Sequence, residues 1–262
     1  MAYNEDAVIA NTIRDLITVF NQIPGDHTIL AVNDGSTDRT GEILQNLAAQ
    51  YAQLRVLIHP ENRGIAQAQR WLIREARGDL IFHLAADGEW RASELHGLLA
   101  KLSQGYDIVI GVRRHKHYSA YRKVVSWLYN VLTLMLFGKN FRDIGSIKLV
   151  RAGLWKRLPA ESNSAFFLAE RLLLAARNGA RIGFVPVDHV WRATGRSKFN
   201  NPLRALEAFV ELVQFWWSTR SRQRLAVWEG KPEPQLPMQS GRGSWWFQLG
   251  GKWAPRWGRA KQ

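Results

Sequence analysis

The stretch Thr28–Thr40, TILAVNDGSTDRT, decides the fold. A β-rich run, Thr28 to Val32, meets a polar turn at Asn33-Asp34-Gly35, and Thr37 or Asp38 can cap the helix expected behind it. The pattern recurs downstream. Leu54–Ile58, Leu80–Leu84 and Asp107–Gly111 are further β-rich runs, and amphipathic stretches at about 38–51, 65–77 and 93–104 separate them. Alternation of this kind argues for a parallel sheet covered by helices, with ligands at the loops on the carboxyl edge of its strands.

Upstream, Tyr3-Asn4-Glu5-Asp6 reads as a turn into a helix, because Ile9, Ile13, Leu16, Ile17 and Phe20 follow at helical spacing. An α/β chain usually reaches such a turn from a strand, and here only Met1 and Ala2 come before it. Downstream, the sequence predicts an apolar helix behind a basic stretch at 113–123, strands near 146–151 and 181–190, and helices near 165–178 and 201–217. Asn201-Pro202 is a good start for the last of these. Beyond Ser218 the composition changes to bases, Trp, Gly and Pro, as in an appendage.

The 262 residues suffice for one large α/β domain or two small ones, and an apolar content of 46% gives a core and excludes a disordered chain. Lys and Arg number 36 against 22 Asp and Glu, a net charge of +14, which calls for an anionic partner. There is no Cys, so disulfide frameworks and thiolate zinc sites are excluded. The uncharged run Val124–Gly138 is shorter than the roughly 20 residues that a spanning helix needs. The chain is therefore not expected to cross a membrane, and the charge leaves nucleic acid, a phosphorylated substrate and an acidic membrane surface open as partners.

Five short motifs lie in order along the first 90 residues: Tyr3-Asn4-Glu5, then Asn33 to Thr40 behind a strand, Asn62-Arg63-Gly64 before a helix, Ala76-Arg77-Gly78-Asp79 before a strand, and Ala85-Ala86-Asp87-Gly88-Glu89 behind it. Together they resemble the family 2 glycosyltransferases of GT-A fold. The later motifs Gly111-Val112-Arg113, Arg122 with Ser126, Asp143 to Ser146, and His189 to Lys198 look like the polyprenyl-phosphate branch, which includes the dolichyl-phosphate mannose synthases. The resemblance covers about residues 2–200. It implies a three-layer α/β sandwich with a mostly parallel central sheet, and a further central strand ahead of Tyr3.

It also implies roles. Tyr3, Asn4, Glu5, Asn33, Asp34 and Gly64 would form the donor-nucleotide pocket, with Asp34 on the base or ribose. Asn33 stands where the family has an Asp, and Ala85 replaces the first Asp of the D-x-D motif. Asp87 would hold Mg²⁺ or Mn²⁺ on the donor diphosphate, with Glu89 as second ligand. Arg113, Arg122, Ser126, Asp143, Arg192 and Ser197 would serve the acceptor, with Arg113, Arg122, Ser126 and Arg192 gripping its phosphate, Asp143 orienting the acceptor loop, and Lys198 reaching either that phosphate or the donor diphosphate. Taken singly, the same residues also read as solvated loop acids and surface bases.

The implied reaction moves a sugar from a UDP- or GDP-linked donor to a polyprenyl phosphate at the cytoplasmic face of a membrane, with inversion. The partners are the nucleotide-sugar, the lipid phosphate and an anionic membrane surface, with the protein peripheral to it. Nucleic acid is disfavoured, because no nucleic-acid module is recognised. Arg122, Ser126, Asn130 and Thr133 share one helical face, which fits either a buried core helix or an interfacial one flanked by bases. Two alternatives stay open. One is a family 2 enzyme acting on a saccharide hydroxyl, for which Glu170 is the candidate base unless it is a solvent-facing helix residue. The other is a catalytically inactive member, suggested by Asn33 and Ala85. The expected organisation is a transferase domain at 1–200, an amphipathic helix at 201–217 and a basic, Trp-rich tail at 218–262.

Overall fold

The computed structural model describes residues 1–114, 120–190, 202–220, 246–249 and 252–255. Helix α1 (Ile9–Phe20) is followed by β1 (Ile29–Asp34), α2 (Thr40–Gln50), β2 (Leu54–His59), α3 (Gly64–Glu75) and β3 (Leu80–His83). A 3-10 turn then leads into α4 (Leu95–Leu102), followed by β4 (Ile108–Arg113), α5 (Ala120–Phe137) and β5 (Lys148–Arg151). The remaining elements are α6 (Ala152–Arg157), α7 (Phe167–Arg177), β6 (Ile182–Val187), α8 (Pro202–Arg220) and an antiparallel pair, β7 (Trp246–Leu249) with β8 (Lys252–Pro255).

Alternation along the strands builds three layers. Val109 and Leu149 face a core closed by Ile9, Ile13 and Leu16 of α1, Leu44 of α2 and Leu98 of α4. Their neighbours Ile108, Ile110 and Val150 face the opposite core, closed by Ile73 of α3, Trp155 of α6, Leu172 of α7 and Leu212 and Phe215 of α8. Period two in the strands and near four in the helices is what sends each side chain to its layer.

β1 and β2 pair in parallel, as do β4 and β6. The expected α/β layering with parallel strands is present, and one strand, β5, runs antiparallel between β3 and β4 and makes that sheet mixed. Ala2, 1% exposed, lies beside β1 on the side away from β2: its N–H donates to the Val32 carbonyl at 2.8 Å and its carbonyl accepts from Asp34 N–H at 2.9 Å. Among the described residues the β1–β2 ladder and the β3–β5–β4–β6 ladder are separate. No described helix is long and apolar enough to cross a membrane.

Candidate active site

The carboxyl ends of β1, β2, β3 and β4 carry the loops singled out in the sequence, and hydrogen bonds sew them together in pairs. Asn4, at a left-handed φ of 53°, donates its backbone N–H to Ser36 Oγ at 3.1 Å, and its Oδ1 accepts from Thr37 N–H at 2.9 Å. Glu5 N–H donates to Thr40 Oγ1 at 2.8 Å. Asn33 Oδ1 accepts from Ser36 N–H at 3.1 Å, closing the turn on itself. Gly35, at φ 67°, lies so close to the Glu61 and Asn62 backbone that a Cβ would come within 2.3 Å of it. Only glycine fits there, and the close approach presses the β1 turn onto the β2 turn.

Asp34 ends β1 with its carboxylate held inside the protein. It is fully buried, and its Oδ1 lies 2.6 Å from His59 Nδ1. The same carboxylate accepts the N–H of Arg63 at 3.1 Å and of Gly64 at 3.0 Å. It therefore caps α3 and anchors β2, and the expected contact with a base or ribose stays a proposal beside these partners within the protein. His59 was not singled out in the sequence, although it directly precedes the Pro60–Gly64 turn that the motif occupies.

Arg113 is likewise engaged within the protein. Its Nε donates to Asp143 Oδ2 at 2.8 Å, its Nη2 to Oδ1 at 2.6 Å, and its backbone N–H to Oδ2 at 3.2 Å. Both side chains are buried, and the guanidinium lies over Trp90, 5.2 Å from the ring centroid. Arg113 is a clamp that fixes the 141–147 loop to β4, and its charge is already matched. Glu170 is neither solvent-facing nor poised as a base: it is 1% exposed and its Oε2 accepts the N–H of Glu161 and Ser162 at 3.1 and 2.8 Å.

Beneath the clamp lies Lys148, also missed in the sequence because a lone Lys in a strand carries no pattern. It is 1% exposed and donates to the Ser146 carbonyl at 2.8 Å. Burial pushes its ammonium down to about 8, partly offset by Asp143 and reinforced by Arg113.

Asp87 and Glu89 share the loop after β3. Asp87 is half-buried, and its Oδ1 accepts Glu89 N–H at 3.2 Å. Glu89 is buried, and its Oε2 lies 3.0 Å from His189 Nε2 at the end of β6. Among the described residues no group of three or more His, Asp or Glu is arranged to hold a metal ion. Mg²⁺ and Mn²⁺ on a diphosphate need few protein ligands, since phosphate oxygens and water complete the shell. Asp87, half-buried in the loop after β3, fits that demand, and Glu89 beside it contacts His189.

Ser126 lies half-buried on α5, where its carbonyl accepts from Asn130 Nδ2 at 2.7 Å. Tyr3 is half-buried in the N-terminal turn. The side chain of Arg122, and Arg192, Ser197 and Lys198 altogether, lie outside the described residues. The structure thus joins the turns at Asn4 and Asn33, at Asp34 and Gly64, and at Arg113 and Asp143.

Comparison with known proteins matches residues 1–157 to the family described as Glycosyl transferase family 2. The undecaprenyl-phosphate 4-deoxy-4-formamido-L-arabinose transferase of Edwardsiella ictaluri is 29% identical over 231 residues, 80% of this chain and 70% of that protein. Its counterpart in Pseudomonas paraeruginosa is 29% identical over 223 residues, 84% of this chain but only 64% of that protein. Among solved structures, glucosyl-3-phosphoglycerate synthase from Mycobacterium tuberculosis, in complex with Mn²⁺, UDP and phosphoglyceric acid, superposes with a TM-score of 0.64 at 17% identity, over 82% of this chain and 76% of that one. At that identity the likeness is one of fold.

Proposed function

The chain belongs to glycosyl transferase family 2, and from that premise we propose that it moves a sugar from a nucleotide-sugar to a polyprenyl phosphate at the cytoplasmic face of a membrane, to which it binds peripherally. The observation that carries the lipid side of this reading is the distribution of exposed apolar groups. Of the eleven large apolar side chains exposed among the described residues, ten lie on α5 and α8. Val124, Trp127, Leu128, Leu134 and Met135 belong to α5, and Leu203, Leu206, Val210, Val213 and Trp217 to α8.

The two helices pack together through Tyr129 on Phe209 and Phe137 on Phe215, so their outer faces form one surface. Lys123 and Lys139 are exposed at the two ends of α5. An apolar face with Trp and basic residues at its margin suits the headgroup region of an anionic bilayer. This supports the interfacial reading of α5 and extends it to α8.

The acceptor chemistry follows. A phosphate monoester has a second pKa of about 6 and is largely ionised near neutrality. Its oxygen can attack the anomeric carbon without a base, the bond from that carbon to the donor diphosphate breaks, and the nucleoside diphosphate leaves. A saccharide hydroxyl would need a base, and Glu170, the candidate for it, is sequestered on backbone N–H groups. Asp87 would hold a divalent metal at the donor diphosphate, where the ion neutralises charge on the leaving group. The sewn Asn4 and Asn33 turns shape the donor side. Arg122, Arg192 and Lys198 are the proposed grips for acceptor phosphate, with Ser126 and Ser197 beside them. The names of the two relatives support the lipid-phosphate acceptor, and the Mn²⁺ and UDP held by the mycobacterial synthase support the donor and metal.

Incubating the protein with radiolabelled nucleotide-sugars and either polyprenyl phosphate or oligosaccharide tests the reading. Label extracted into organic solvent and released by mild acid is the expected product. Label recovered only in oligosaccharide would support the hydroxyl-acceptor alternative instead.

A further inference from the structure

Outside α5 and α8, one large apolar side chain is exposed among the described residues: Ile58 of β2, at 46%. It borders a groove of about 500 Å³ whose facing wall is the outer side of α3. There Arg63, Gln67, Arg70 and Arg74 follow one another at steps of four, three and four, a single helical face. Trp71 lines the same groove, its ring stacked on that of His59 with centroids 4.9 Å apart and planes at 21°. An aliphatic group, an indole and three guanidinium groups around one opening are the composition of a membrane–water boundary.

The positive charge there is not cancelled. Arg70 donates to Asn163 Oδ1 at 3.0 Å and to the Ser162 carbonyl at 2.6 Å, both neutral acceptors. No carboxylate pairs with Arg63 or Arg70 among the described residues, and Arg74 has a 3.5 Å contact with Glu75, which Arg55 shares at 3.7 Å. The loop that Arg70 grips also meets α8: Glu211 accepts from the N–H groups of Asn163 and Ser164 at 3.1 and 3.3 Å and from the Ser164 hydroxyl at 2.6 Å. α3 and α8 therefore border one short loop, and the arginine stripe lies beside the helix whose outer face is apolar. The groove opens at the carboxyl end of β2, on the edge that carries the candidate cleft.

We propose that this groove seats the phosphate headgroup of an anionic phospholipid at the margin of the bilayer contact made by α5 and α8. Arg63 and Arg74 pair with the phosphodiester oxygens, and Ile58 and Trp71 lie against the glycerol and the first acyl carbons. This lipid is held and not transformed. An apolar attachment on α5 and α8 and an ionic one on α3 together fix the rotation of the domain on the membrane, so that the cleft faces an acceptor phosphate in the same plane. The place of the groove beside the bilayer rests on the membrane reading of α5 and α8, and nothing in it rests on the transfer reaction.

Sedimentation of the full chain with vesicles of phosphatidylglycerol and phosphatidylcholine, at fixed salt, tests this. The double variant Arg63→Glu, Arg74→Glu should bind about 10-fold or more weaker than the parent. The control is Arg14→Glu with Arg177→Glu, two exposed bases on α1 and at the end of α7, which changes the net charge by the same amount. Arg177 stands about 15 Å along α7 from Phe167, the ring beneath Arg70, so the control pair should stay within about 2-fold of the parent. Equal losses in the two pairs would mean diffuse attraction and overturn the proposal, as would parental affinity in the Arg63, Arg74 variant. Calorimetry with inorganic phosphate separates the other source: phosphate binding lost in that variant while vesicle affinity holds would assign the groove to a soluble anion and overturn the lipid. A parallel Trp127→Ser, Trp217→Ser variant keeps the two membrane readings apart. Loss there alone overturns the groove and keeps the α5–α8 face, whereas loss in the Arg63, Arg74 variant alone keeps the groove and overturns that face.

Discussion

Asp34 and His59 are joined by a 2.6 Å contact between two buried side chains, at the point where the turns after β1 and β2 meet. Removing one member leaves the other buried without its partner. Asp34→Ala is expected to destabilise the fold by about 3–5 kcal/mol, measured as the shift of the urea midpoint at constant slope. A variant of parental stability that has lost only nucleotide affinity would instead return Asp34 to the role of a ligand contact.

The Arg113–Asp143 clamp predicts strong coupling. Asp143→Ala alone leaves a buried guanidinium uncompensated and should cost about 3–5 kcal/mol, whereas Arg113→Met with Asp143→Ala should recover a large part of it. A double-mutant cycle by chemical denaturation checks this. Simple additivity of the two single changes would contradict the clamp.

Lys148 gives a pH dependence whose sign can be worked out. Burial lowers its folded value to about 8 from 10.5, so between those values the unfolded chain binds more protons than the folded one. Stability contributed at this site therefore rises as pH climbs from 8 toward 10.5, and below 8 the buried charge carries a cost of about 3 kcal/mol. Lys148→Met should gain stability over the parent at pH 7, and that gain should shrink at pH 9.5. Thermal melts at the two pH values measure it, and a gain of equal size at both would refute the assignment.

The apolar face of α5 and α8 predicts a separation of membrane binding from folding. Trp127 and Trp217 are 64% and 70% exposed, so replacing both by Ser should leave stability within about 0.5 kcal/mol. Sedimentation with anionic vesicles should show binding weakened by about 10-fold or more, since two indoles no longer enter the interface. Unchanged vesicle affinity would place the docking surface elsewhere.

Much of the fold was legible because periodicity reports burial. Ile9, Ile13, Leu16 and Ile17 of α1 point to one core, and the runs at 28–32 and 54–58 became β1 and β2 with small changes at their ends. The direction of β5 was not legible, since four apolar-flanked residues say nothing about which way a strand runs. Motif order located the loops, but not which polar side chain in each faces the cleft. Asp34 and Arg113 are the instructive cases: a charge at the end of a strand looks available until a partner distant in sequence, His59 or Asp143, is brought against it by the fold. Glu170 differed for the same reason, its partners being backbone N–H groups that no sequence pattern shows. His59 and Lys148 carry no motif, and only burial marks them.

The most direct test of the central claim is transfer of radiolabelled sugar to polyprenyl phosphate, measured with and without Mg²⁺ or Mn²⁺ for the parent, Asp87→Ala and Glu170→Gln, each shown to be folded. Lipid-linked product that requires the metal, falls by about 10²-fold or more in Asp87→Ala as charge neutralisation at the leaving group is lost, and persists in Glu170→Gln is the predicted result. Transfer confined to oligosaccharide and abolished in Glu170→Gln, or no transfer to lipid phosphate from any nucleotide-sugar by the folded parent, would contradict it.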